Sequence, residues 1–186
     1  MVKRKIEVVP YDPQWPKLFE EEVEQLKAIF GTEIVAAHHV GSTAVPGVWA
    51  KPIIDVLLEV RDINRIDGYN DEMIAWGYLP KGTFGIAGRR FFIKGNEVHR
   101  THHIHVFERG HPRSGPSPTV QRYLDFRSYL TAHPAEANAY AQLKRKLARQ
   151  FPHDIDGYMA GKDDFIKEIE RKATVWKNRR EEKNSI

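Results

Sequence analysis

HHVGSTAVPGVWAKPIIDVLLE, residues 38–59, decides how this chain is read. The apolar run leading into it, Ile34 to Val40, predicts a short buried strand that stops at Gly41-Ser42, where glycine lets the backbone turn sharply and approach a ligand. Thr43 to Ala50 accommodates a second turn and a short helical segment, and Lys51-Pro52 breaks it. Ile53 to Val60 is a second strand, dense in β-branched and aliphatic residues, with one carboxylate near its start, Asp55. A lone acid in such a run is costly to bury unless something positive answers it. Side chains alternate along a strand, so Asp55, Leu57 and Glu59 share one face while Ile54, Val56 and Leu58 share the other.

Outward from that stretch, Val2 to Val9 reads as an opening segment or edge strand. Tyr11 to Phe30 reads as a helix, with Asp12-Pro13 at its start and Trp15, Phe19, Val23, Leu26 and Phe30 as one apolar stripe. Asp62 to Trp76 predicts a helical region broken near Gly68, and Lys81 to Gly88 a glycine-rich, mobile or ligand-facing loop. Arg89 to Lys94 and Thr101 to Phe107 predict a hairpin turning at Gly95-Asn96. Pro112 to Pro118 is a linker rich in proline and serine. Beyond it come helices over Thr119 to Ala132, Pro134 to Phe151 and Ile155 to Lys177, with a charged tail expected to fray. The expected organisation is an α/β core over 1–111, a linker over 112–118 and helices over 119–186 that pack on the core.

With 186 residues and 41% hydrophobic composition, the chain is long enough to bury a sizeable core. The absence of cysteine excludes a disulfide scaffold, thiol catalysis and a cysteine-ligated zinc. No apolar run approaches the twenty residues of a membrane span and no secretory signal is visible, so a cytoplasmic protein without a membrane partner is expected. Twenty-nine basic residues against 25 acidic ones favour anionic partners only weakly, and nucleic acid is not the expected one.

Chemistry concentrates in two places. A Gly-Ser turn followed by a strand acid can hold a phosphorylated ligand: Gly41 amides and the Ser42 hydroxyl take phosphate oxygens while Asp55 positions a divalent cation. Equally, Ser42 can be a simple helix cap and Asp55 part of a structural network. Lys51 can add positive charge to the same site, although a solvated lysine at a helix end is commoner. The second place is THHIHVFE, residues 101–108, where His103 and His105 project to one side of a strand and can converge on a metal or donate to phosphate. Arg89, Arg90, Lys94 and Arg100 surround that hairpin, and an arginine such as Arg90 or Arg100 can clamp an anionic substrate; charged strand edges are the plain alternative. Lys144, Arg145, Lys146 and Arg149 read as the wet face of a helix.

The central stretch, with VVPYDPQWPKLFEEE before it and THHIHVFERG, DFRSYLTAHPAEANAYAQLKRKLA and YMAGKDDFIKEI after it, resembles the GrpB-like proteins over nearly the whole chain. That resemblance implies an α/β fold of nucleotidyltransferase type: a mixed sheet with helices, plus a carboxy-terminal helical part. The signature of that superfamily is a Gly-Ser turn, a helix and a strand bearing two alternating acids, with a third acid on a later strand. Gly41, Ser42 and Asp55 match its first parts. The second acid position is Leu57, which cannot bind a cation, and the later strand offers His103 and His105 instead. Glu59 lies about 13 Å from Asp55 at strand rise, too far for one ion. A site of Asp55, His103 and His105 favours zinc, manganese or nickel over magnesium. The implied function is binding of a nucleotide or phosphorylated small molecule, with metal-dependent nucleotidyl transfer. The alternatives are a binding module that has lost the reaction, serving another enzyme as a regulatory or folding partner, and a metal-dependent hydrolase centred on the histidines.

Overall fold

The computed structural model describes residues 5–96, 98–110 and 117–184. Helix α1 (Trp15–Phe30) begins with Pro16 in its first turn, where the missing N–H costs nothing, and buries Trp15, Val23, Leu26 and Phe30 along one stripe. Strand β1 (Ile34–Val40) follows, then a turn of 3-10 helix (Ser42–Ala44), and then β2 (Ile54–Val60). A 3-10 stretch (Ile63–Tyr69) and helix α2 (Asn70–Ala75) lead to β3 (Tyr78–Pro80), β4 (Arg89–Gly95) and β5 (Arg100–Glu108). Three helices complete the order: α3 (Pro118–Ala132), α4 (Pro134–Gln150) and α5 (Ile155–Asn184).

The five strands form one sheet in the order β1-β2-β5-β4-β3. β1 pairs antiparallel with β2, and β4 with both β3 and β5, but β2 and β5 run parallel. A parallel pair requires a crossover, and the connection between β2 and β5, which carries α2, β3 and β4, supplies it. The mixed sheet with a carboxy-terminal helical part expected from the sequence is therefore present. Its parallel register sets Asp55 opposite His103 and Leu57 opposite His105, so the odd-numbered side chains of both strands share one face.

The even-numbered face, with Ile54, Val56, Leu58, Ile104 and Val106, is buried under α1. The other face is covered by the carboxy-terminal helices. Val120 of α3 packs on Val40, Leu57 and Phe107, while Val45 and Val48 from the turn after β1 enter the core of the helices themselves. Arg127 of α3 donates to the His39 carbonyl at 2.8 Å, tying this layer to β1. Ser117 caps α3, its hydroxyl accepting from the Val120 amide at 3.3 Å. Residues 112–116 of the expected linker lie outside the described residues.

Three local expectations change. Residues 45–50 turn without forming a helix, and Val9 and Ala50 make an isolated bridge that draws the opening segment onto this turn. Tyr78–Pro80 is a strand too short to show a period, at the sheet edge where a proline is tolerated. The tail is helical to Asn184: Lys177 reaches Asp125 at 3.7 Å and Glu181 at 3.8 Å, and Arg180 stacks over Trp176 at 4.7 Å. Among the described residues no helix is long and apolar enough to cross a membrane.

Candidate functional site

The parallel register brings together residues 48 and 50 positions apart. One Asp55 oxygen, Oδ1, accepts from His103 Nδ1 at 3.1 Å and faces His105 Nε2 at 3.5 Å. Burial alone would raise the Asp55 pKa, but the two imidazole hydrogen bonds outweigh it and hold the carboxyl well below its usual range. The Asp55 side chain keeps 27% of its surface exposed, so an ion or ligand reaches it without unfolding. Burial lowers the His105 pKa, opposed by the carboxylate. Arg89 Nη1 lies 3.3 Å from His105 Nδ1, and since a guanidinium only donates, Nδ1 is the unprotonated nitrogen and Nε2 carries the hydrogen. Arg89 is itself anchored by the carbonyls of Thr83 at 3.1 Å and Phe84 at 2.8 Å, in the glycine-rich loop before β4. Phe91 packs beside both imidazoles, and Tyr123 of α3 lies over His105, with ring centroids 5.5 Å apart.

Gly41 forms the opposite wall. Its φ of +72° is one that side-chain-bearing residues avoid, and a Cβ there would come within 2.4 Å of Asp55 Oδ2. The glycine backbone thus lies directly against the acid. Ser42 lies beside the Tyr140 phenol, with which its hydroxyl interacts.

The donor set fits a metal ion. One donor atom each from Asp55, His103 and His105 lies within 4.8 Å of the others. The 3.1 and 3.5 Å separations suit donors about 2.0–2.2 Å from a common ion. An ion would take the place of the hydrogens on His103 Nδ1 and His105 Nε2. His105 would then carry its hydrogen on Nδ1, facing Arg89, so Arg89 opposes coordination both as a donor and as a charge. Arg89→Met is expected to tighten manganese or zinc binding about tenfold by calorimetry. Arg90→Gln should leave it unchanged; weaker binding by the Arg89 variant would refute this assignment of the tautomer.

The remaining expected site residues divide. Lys51 lies 5.4 Å from the centroid of Tyr158, on the side of the carboxy-terminal helices. Arg90 is placed away from the cluster: its Nε and Nη2 donate to Asp67 at 2.7 and 2.8 Å, and its partner in β5 is Val106, whose side chain belongs to the α1 face. Arg100 stands opposite Gly95 at the hairpin end, about 10 Å along the strand from His103. Leu57 is fully buried among Val40, Phe107 and Val120. Glu59, also buried, pairs with His38 at 2.8 Å and lies outside the cluster.

Three neighbours were not singled out from the sequence for this site: Arg89, one residue from Arg90; Tyr123; and Lys144, which had been assigned to a wet face but is 2% exposed. The signal for Lys144 was there. It falls in the α4 stripe of Ala137, Tyr140, Ala141 and Leu147.

Residues 5–172 match the family described as GrpB protein. The chain belongs to the GrpB family. Among its relatives, the UPF0157 protein YqkA of Bacillus subtilis is 49% identical over 98% of this chain and 51% of its own length. The crystal structure of the conserved protein GrpB from Enterococcus faecalis superposes with a TM-score of 0.83 at 41% identity, covering 91% of this chain and 99% of that one. A dephospho-CoA kinase of Mycolicibacterium paratuberculosis is 30% identical over 92% of this chain, which corresponds to 46% of the kinase. This GrpB chain thus spans about half the length of YqkA and of that kinase.

Proposed function

We propose that the chain binds a nucleotide or another phosphorylated small molecule where the Gly41-Ser42 turn meets Asp55, with a divalent cation held by Asp55, His103 and His105. The reaction this serves is metal-dependent nucleotidyl transfer. The observation carrying the reading is the convergence of one carboxylate and two imidazoles on a glycine turn, with Asp55 open to solvent. The cation would supply Lewis-acid polarisation of a phosphoryl oxygen. The protein would supply position: Asp55 fixed by both imidazoles, and Gly41 leaving room for close approach. Mixed oxygen and nitrogen donors favour zinc, manganese or nickel over magnesium. The relative named as a dephospho-CoA kinase is consistent with a phosphorylated small-molecule ligand.

A second reading has its own observation. Leu57 stands where a second acid would complete a two-ion centre, and it is sealed in the core. A module that binds the ligand without transforming it would look like this. The test is incubation with each labelled nucleoside triphosphate and manganese or magnesium, alongside calorimetry, for wild type and Asp55→Ala. Transfer is expected in wild type and should fall by at least about a hundredfold in the variant. Binding with no product under any condition would replace transfer by the binding-module reading, and no binding would refute both.

A further inference from the structure

Lys144 is 2% exposed on the inward face of α4, and its Nζ has no hydrogen-bond partner. It rests 4.3 Å from the centroid of the Tyr140 ring, whose phenol interacts with Ser42. Lys162 of α5 and Lys51 of the approach to β2 lie over one ring, Tyr158, at 5.3 and 5.4 Å. Among the described residues no carboxylate comes within 4.0 Å of the Lys144 or Lys162 ammonium. Asp55 is the negative group that acts on both from farther away, and it is already engaged by two imidazoles.

Burying an ammonium without a hydrogen-bonding partner costs several kcal/mol, and surrounding it with like charges adds to that. An aliphatic side chain of the same length would avoid the cost entirely. What relieves such a cluster is an anion, and its chemistry can be narrowed. A carboxylate brings one charge in a plane. A phosphate group brings about −1.5 to −2 and tetrahedrally disposed acceptors, so two linked phosphates can reach more than one ammonium group at once.

We propose that Lys51, Lys144 and Lys162, with Ser42 and Tyr140, form a site for the diphosphate group of a phosphorylated ligand, contributed mainly by the carboxy-terminal helices. This rests on the proposed binding of a phosphorylated ligand at the Gly41–Asp55 site and adds where its phosphates lie: against the carboxy-terminal helices, beside the Asp55 cluster. The sheet supplies the acid and the imidazoles, and α4 and α5 supply the charge that holds the anion.

The test is calorimetric titration of the whole chain with inorganic pyrophosphate in chelator-treated buffer, and separately with manganese alone. Wild type, Lys144→Met, Lys162→Met and Asp55→Ala are compared. Wild type is expected to bind pyrophosphate, and each lysine variant to bind it at least about tenfold more weakly while manganese binding stays at the wild-type level. Asp55→Ala should lose manganese and keep pyrophosphate. Pyrophosphate that fails to bind wild type, or binds both lysine variants as tightly, overturns the diphosphate site; intact manganese binding then leaves the Asp55 centre standing. Manganese that fails while pyrophosphate binding still depends on the lysines removes the metal centre and keeps this site. Lys162 is only half-buried, so its variant tests the site even where Lys144→Met alters packing.

Discussion

Gly41→Ala is expected to destabilise the chain by about 3 kcal/mol and to abolish binding of manganese at Asp55. Two costs add. The backbone there has φ +72° and ψ −170°, a region open essentially to glycine alone, and forcing a side chain into it costs on the order of 1–3 kcal/mol. The new methyl would also stand 2.4 Å from Asp55 Oδ2, so the carboxylate must move, and with it the hydrogen bonds from His103 and His105. Denaturant titration measures the first effect and calorimetry with manganese the second. A variant that binds manganese normally would show that the acid tolerates displacement and that the Gly41 wall is not what positions it.

Lys144→Met should act in the opposite direction on stability. Burial, then repulsion from Lys162 and Lys51, lowers the Lys144 pKa from its usual 10.5 to about 7, with Asp55 pulling weakly the other way. Between those values the unfolded chain carries a proton on this lysine that the folded chain releases, so the unfolded state binds more protons and stability rises with pH. Above about pH 10.5 the group costs nothing through its charge, and below about pH 7 the full cost applies. The methionine variant removes the ionisable group while keeping the length of the side chain. It is therefore expected to be more stable than wild type by on the order of 3 kcal/mol at pH 7, with the difference shrinking toward pH 10. Denaturant midpoints for both proteins across that range test this. A difference that stays constant with pH would mean that Lys144 holds its proton equally in the folded and unfolded chains, so that burial does not perturb its charge. Combined with the expected loss of pyrophosphate binding, a gain in stability would show a residue retained for ligand binding at the expense of the fold.

Most of the frame was legible from local signals. The α1 stripe has helical spacing, Pro134 lies in the first turn of α4 as expected, the β1 run stops at Gly41 and the β2 run starts after Pro52, whereas the first-turn prolines of α1 and α3 are Pro16 in place of Pro13 and Pro118 at the end of the expected linker. Asp55 stood out as an acid among aliphatic residues, and the alternation in THHIHVFE put His103 and His105 on one side. Their meeting was expected only through the family resemblance and not from local signals, because it depends on β2 and β5 pairing in parallel, and nothing within either segment states its direction or register. The choice between Arg89 and Arg90 rests on the same register: Arg89 faces the cluster and Arg90 goes to Asp67. Lys144 was hidden by its company. Three neighbouring cations made the segment look solvated, although the residue keeps the Tyr140 to Leu147 spacing of a buried stripe.

The parallel β2–β5 pair also orders events as the chain emerges during synthesis. Asp55 has no imidazole to meet until the strand carrying His103 and His105 has been made, and Lys144 and Lys162 arrive later still. The acid and Lys51 are therefore made early, and the site is complete only once the chain through residue 162 has emerged.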